Sequence, residues 1–151
     1  PIQLIEKDYH ISRILRALSR SSYESKIVFK GGTSLSKAYQ LIDRFSEDVD
    51  FAVISGDMSG NQVKILLSNL MKEVTMGLTE DKSFSDISKG SKYRKQAFSY
   101  TAHTGFDTSV NPVPARIIVE ISAFANPFPY EKRMIEPFVT TYLLDKPCVR
   151  K

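Results

Sequence analysis

The chain reads as an α/β or α+β domain in which helices pack against a mixed β-sheet. Three observations predict this class. Apolar residues recur at helical spacing in some segments and alternate with period two in others, and Gly, Ser, Asn and Pro clusters separate the two patterns. The resulting order is α-β-α-β-α-β-β, and 151 residues are one domain's worth of chain.

From Leu4 to Ser19, Ile11, Ile14, Leu15 and Leu18 follow the i, i+3, i+4, i+7 rule of an amphipathic helix. Ile27-Val28-Phe29 is a short buried strand stopped by Gly31-Gly32. Thr33 or Ser34 is placed to cap a second helix, whose apolar face would be Leu35, Ala38, Tyr39 and Ile42. Asp48 to Val53 is the next strand. Ser55-Gly56-Asp57 and Ser59-Gly60-Asn61 are turn chemistry, and a longer helix follows with Val63, Leu66, Leu67, Leu70, Met71 and Val74 on one face. Leu78 to Ser91 is polar and expected to be loop. Gln96 to His103 alternates, with Phe98, Tyr100 and Ala102 on one side, and predicts a strand. Gly105 to Pro114 is a turn-rich connection, and Arg116 to Ser122 is a β-branched strand. After Asn126-Pro127 the chain is aromatic and proline-interrupted, with weak structure expected.

Hydrophobic content of 42% and charged content of 25% are those of a globular protein. No apolar run approaches the ~20 residues that span a bilayer, and no signal peptide is visible. The single cysteine, Cys148, has no intramolecular partner, which fits a reducing compartment. The expectation is a cytoplasmic protein with no membrane partner. A formal charge of +4 is too small to signal nucleic-acid binding by itself. Its distribution says more, because Lys82, Lys89, Lys92, Arg94 and Lys95 crowd into residues 82–95. Such a stretch is a solvated loop, or a basic rim facing phosphates if a metal site lies beside it.

The segment Phe29 to Phe51 carries the chemistry. Lys30-Gly31-Gly32-Thr33-Ser34 lacks Walker A spacing. It does offer free N–H groups and two hydroxyls at a helix start, where an anion is favoured. Asp48 and Asp50 project from one face of their strand, while Val49, Phe51 and Val53 take the other. In the strand Arg116 to Ser122, Glu120 points away from Ile117, Val119 and Ile121. If the two strands are neighbours, three carboxylates meet. Two such charges ~4 Å apart repel by about 4 kcal/mol at an effective dielectric near 20. A hard cation, Mg²⁺ or Mn²⁺, would offset this and take phosphate oxygens as well. An isolated Asp-x-Asp is ordinarily the wet face of an edge strand, and Gly-Gly-Thr-Ser is an ordinary helix entry. Their succession points instead to a nucleoside triphosphate.

Other sites are weaker. His10 and His103 lack ligand-like spacing for zinc, and Ser34 has no evident His base. Tyr93, Phe98, Tyr100, Phe124, Phe128 and Tyr130 either stack a base or fill the core and its edges.

Gly31-Gly32-Thr33-Ser34-Leu35, followed by Arg44-Phe45-Ser46-Glu47-Asp48-Val49-Asp50-Phe51, resembles the AbiEii-type nucleotidyltransferase toxins of bacterial abortive-infection and toxin–antitoxin systems. Ile5-Glu6-Lys7-Asp8-Tyr9, Tyr93-Arg94-Lys95 with Tyr100, and Val119-Glu120-Ile121-Ser122 resemble them more loosely, so that residues 4–130 are covered. The resemblance implies the nucleotidyltransferase fold of the DNA polymerase β-like superfamily. It implies that Gly31, Gly32, Thr33 and Ser34 meet the triphosphate, that Asp48 and Asp50 bind the metal, and that Glu120 is a third carboxylate polarising the acceptor hydroxyl. Arg94 and Lys95 compete to meet phosphates, with Arg94 favoured. The implied activity is transfer of NMP from an NTP to a hydroxyl, foremost a tRNA 3′ end, under the control of an antitoxin protein. The alternative is an inactive module of this fold that binds nucleotide or a protein partner. Family members usually continue into a C-terminal helical region, so residues 1–151 are expected to be a catalytic domain, as a fragment or as a reduced member.

Overall fold

The computed structural model describes residues 2–42, 45–102 and 113–140. Arg44, His103, the connection 105–112, Leu143, Leu144, Pro147 and Cys148 lie outside the described residues. Helix α1 spans Ile2–Ser19, and a single 3₁₀ turn at Glu24–Lys26 leads into β1, Ile27–Lys30. Helix α2 (Gly31–Lys37) follows directly, then β2 (Asp48–Val53) and α3 (Gly60–Val74). The remaining strands are β3 (Thr79–Glu80), β4 (Ser88–Lys89), β5 (Tyr93–Ser99) and β6 (Arg116–Ser122).

The strands form one mixed sheet in the order β1-β2-β6-β5-β3, with β4 also paired to β5. Strands β2 and β6 are parallel, and the other pairings are antiparallel. One face of the sheet is apolar. Val49, Phe51, Val53, Ile117, Val119 and Ile121 are buried there against Ile11, Ile14, Leu15 and Leu18 of α1 and the α3 stripe from Val63 to Val74. Full burial of each such side chain stabilises by about 1.5–3 kcal/mol, so this face holds the domain together. The opposite face is left free for polar groups.

Helix α3 starts at a capping box: Gln62 N–H donates to Ser59 Oγ at 3.3 Å, and Ser59 N–H donates to Gln62 Oε1 at 2.8 Å. What reads as a turn at Ser59-Gly60-Asn61 is therefore the helix entry itself. Leu78 to Ser91, expected as loop, contributes two short edge strands that pair with β5. Two-residue strands are too short to show alternation. Strand β5 begins three residues earlier than Gln96, because Tyr93, Arg94 and Lys95 pair with Ser122, Ile121 and Glu120.

Helix α2 departs from its expected form. It starts at Gly31 with Lys30 as N-cap, and neither Thr33 nor Ser34 caps it. It ends at Lys37, shortly before Gln40 takes a left-handed φ of 53°. Leu35 and Ile42 are exposed, and the buried face is Thr33, Ser34, Ser36 and Lys37. Burial of Thr33, Ser36 and Lys37 is tolerable because their side chains are bonded. Thr33 Oγ1 donates to the Asp48 carbonyl, Ser36 Oγ to the Thr33 carbonyl at 3.1 Å, and Lys37 Nζ to Asp8.

Candidate active site

The polar face is built from alternation. In the parallel register of β2 and β6, Asp50 stands opposite Glu120 and Asp48 opposite Ile118. In the antiparallel pairing of β5 and β6, Lys95 stands opposite Glu120. On the other side of β2, Lys30 of β1 stands opposite Asp50. Residues paired across strands share a face, so Lys30, Asp50, Glu120 and Lys95 form a row of alternating charge, with Asp48 one pleat along. All five are half-buried.

The glycine turn sits on this row. Gly31 has φ +78°, and a Cβ built on it would lie 2.1 Å from Asp50 Oδ2. The backbone there approaches the carboxylate as no other residue could. Gly31 and Gly32 are exposed, whereas Thr33 and Ser34 are buried. The Thr33 hydroxyl is committed to the Asp48 carbonyl, which ties the turn to the start of β2.

Both aspartates hold their protons more tightly than usual. Burial raises the Asp50 pKa first, and the Glu120 and Asp48 charges add to it, against the lowering by Lys30 and Lys95. Burial likewise leads the rise at Asp48, with Lys95 opposing and Glu47 and Glu120 adding. Lys95 is held charged, mainly by its hydrogen bond to Asp86 Oδ2 at 2.6 Å. Tyr93 opens β5, and its phenol pKa is raised by burial and then by its hydrogen bond to Glu120.

Of the two basic residues, Lys95 shares the carboxylate face. Arg94, favoured from the sequence, pairs with Ile121 and therefore lies on the helix-covered face, its Nε buried without a hydrogen-bond partner among the described residues. The preference reverses because β5 begins at Tyr93, which settles the alternation. The aromatic set divides as well: Phe98 is core, while Phe124, Phe128 and Tyr130 are exposed.

The sequence sets Lys30 in the glycine turn, Tyr93 among the aromatic candidates and Lys7 in the N-terminal motif, but it does not place them beside the carboxylates, nor Asp86 beside Lys95. For Lys30 and Tyr93 that placement is legible only through register. Lys7 left a signal, since it falls on the α1 apolar stripe four residues before Ile11. It is fully buried, with Glu47 Oε2 at 3.3 Å beside Asp48, and burial lowers its pKa.

Among the described residues no three carboxylate, imidazole or thiolate groups are gathered closely enough to hold a metal ion as they stand. The donor set nevertheless fits a hard divalent cation. Two desolvated aspartates with raised pKa values and an in-register glutamate are oxygen donors whose mutual repulsion such an ion would relieve. No helix among the described residues is long and apolar enough to cross a membrane.

A mixed sheet with one helix-covered face, an Asp-x-Asp strand beside a strand glutamate, and a glycine turn against the second aspartate accompany a match to a nucleotidyltransferase family, and the class is that of a nucleotidyltransferase. Residues 13–148 match the family described as nucleotidyl transferase AbiEii toxin, type IV TA system, and the chain belongs to that family. Among solved structures it is similar to MenT4, a nucleotidyltransferase toxin from Mycobacterium tuberculosis H37Rv, with a TM-score of 0.50 and 17% identity. That match covers 90% of this chain and 44% of MenT4, so the chain spans less than half the length of that toxin. The likeness bears on the fold. No curated protein matches the chain by sequence.

Proposed function

We propose that the chain is the catalytic domain of a toxin that transfers NMP from an NTP to an acceptor hydroxyl, foremost a tRNA 3′ end, and that a separate antitoxin controls it in the cytoplasm. The observation that carries this reading is the in-register pair Asp50 and Glu120, with the Gly31 backbone against Asp50. In the proposed reaction the acceptor oxygen forms a bond to the α-phosphorus and the bond to the β-phosphate oxygen breaks. Pyrophosphate leaves, and the hydroxyl proton passes to a carboxylate.

Gly31 and Gly32 receive the triphosphate through exposed backbone, and Thr33 and Ser34 support it from the buried first turn of α2. Lys95, already positioned by Asp86, neutralises phosphate charge beside Glu120. Glu120 orients the acceptor hydroxyl from its place opposite Asp50. Asp48 and Asp50, with Glu120, would hold Mg²⁺ or Mn²⁺, which when bound supplies charge neutralisation for the triphosphate and its leaving group. Such transfers depend on positioning and electrostatics, and carboxylates on paired strands suit them.

The experiment is incorporation of each labelled NTP, tried separately, into total bacterial tRNA with Mg²⁺, and Asp48→Ala/Asp50→Ala serves as the blank. Label that disappears in the double variant supports transfer to tRNA. The alternative is an inactive module of this fold that binds nucleotide or a protein partner. NTP binding without transfer to any acceptor would favour that module.

A further inference from the structure

Tyr93 and Phe124 form a stacked pair at the rim of the carboxylate face. Tyr93 pairs with Ser122, which lies two residues beyond Glu120 on the same face of β6. Phe124 follows the end of β6, with its ring centroid 6.1 Å from that of Tyr93 and the planes 22° apart. Between them, Ala123 N–H donates to the Lys92 carbonyl at 2.8 Å, which ties the two backbones together at this point. Strand pairing and this backbone bond hold the platform in place.

Phe124 is 71% exposed, whereas Phe51 and Phe98 are buried in the core. A ring recruited for packing would be covered in the same way. This one lies parallel to a tyrosine and leaves most of its surface to water. An exposed aromatic face beside a phosphate-handling site meets the requirement for base stacking, which tolerates any base because every base has a π-face. Exposed aromatic surface recurs on the same segment, where Phe128 and Tyr130 meet edge to face with centroids 5.2 Å apart.

We propose that Tyr93 and Phe124 form a stacking platform for a nucleobase, either that of the NTP or that of the acceptor's terminal nucleotide. The inference rests on the nucleotidyltransferase reading and adds the place where a base is held. Tyr93 lies on the same sheet face as Glu120, which sets the platform beside the carboxylates.

The chain contains no tryptophan, so Phe124→Trp introduces a single indole at the platform. Its fluorescence is followed during titration with each NTP and Mg²⁺, with inorganic tripolyphosphate and Mg²⁺, and with a short unstructured RNA. Calorimetry on the same samples reports binding independently. The expected result is quenching by NTP or by RNA and none by tripolyphosphate. Quenching by NTP identifies the donor base, and quenching by RNA identifies the acceptor base. Calorimetric binding of both without quenching overturns the platform and leaves the nucleotidyltransferase reading standing. If neither binds, that reading falls and the platform with it. Phe124→Ala, at an exposed position, should raise KM for the stacked ligand about tenfold with a smaller change in kcat, and Phe124→Tyr should restore it. An unchanged KM in the alanine variant also overturns the proposal. A fall in affinity for an antitoxin alone would assign the exposed rings to a protein partner instead.

Discussion

Gly31 and Asp50 touch across the site, so closely that a Cβ on residue 31 would come within 2.1 Å of the Asp50 carboxylate oxygen. The glycine also has a left-handed φ of +78°. Gly31→Ala therefore carries two penalties, backbone strain and displacement of Asp50. The strain should cost about 1–3 kcal/mol in chemical denaturation, and the displacement should lower transfer beyond what the lost folded fraction explains. Gly32→Ala is the control for stability, because its Cβ would meet nothing nearer than Ser46 Oγ at 4.0 Å. Equal destabilisation by both substitutions would contradict the assignment.

The raised pKa values of Asp48 and Asp50 predict that charge at these positions opposes folding. Between the ordinary aspartate value and the raised native one, the folded state holds protons that the unfolded chain releases. Stability therefore falls as pH rises through that window, and the deficit is fully present above it. Asp50→Asn should abolish transfer yet raise Tm by a few degrees at neutral pH, and the gain should vanish below the ordinary aspartate range. Mg²⁺ should raise the Tm of the parent chain more than that of the variant. A variant that melts lower than the parent at neutral pH would count against this account.

Transfer should fail on acidification at a pH above the ordinary aspartate value, because the carboxylates must be ionised to hold a cation. The check is a pH profile of NMP incorporation, with folding followed in parallel by circular dichroism. Activity that persists down to the ordinary aspartate pKa would remove the ionised pair from the mechanism.

Lys95 and Arg94 are adjacent in sequence but lie on opposite faces of β5. Lys95→Ala should raise KM for NTP about ten- to a hundredfold, the scale of a lost charged hydrogen bond. Arg94→Ala should change KM less and show its effect in Tm. Steady-state kinetics on the two variants decide between them. A larger KM effect from Arg94 would mean that the β5 register differs from the one described.

Asp8 and Lys37 form an almost fully buried ion pair between α1 and α2, and the Phe138 N–H donates to the other Asp8 oxygen at 2.8 Å. Removing one partner strands the other charge. Lys37→Met should cost about 3–5 kcal/mol, and Asp8→Leu/Lys37→Met should recover much of that. Urea titration of the single and double variants measures the coupling, and additive losses would show that the pair is not a unit.

The elements with strong periodicity were legible in the sequence. The stripes of α1 and α3 and the alternation of β2 and β6 match what is buried, because each of these elements sets one apolar face against the same core. Alternation sets Glu120 beside the aspartate pair on condition that the two strands are neighbours, and the parallel register of β2 and β6 meets that condition. Helix α2 was misread because its buried face is polar, with hydrogen bonds replacing the apolar burial that periodicity detects.

The sequence by itself determined the mixed α/β class, the family and the carboxylate strands, since these rest on patterns local to a few residues. Tertiary structure alone decided which basic residue faces the carboxylates, that Lys30 flanks Asp50, and that Tyr93 opens β5 on the face of Glu120. Those facts depend on strand register. A one-residue shift in register moves every side chain to the other face, and no local pattern in β5 marks where its pairing begins.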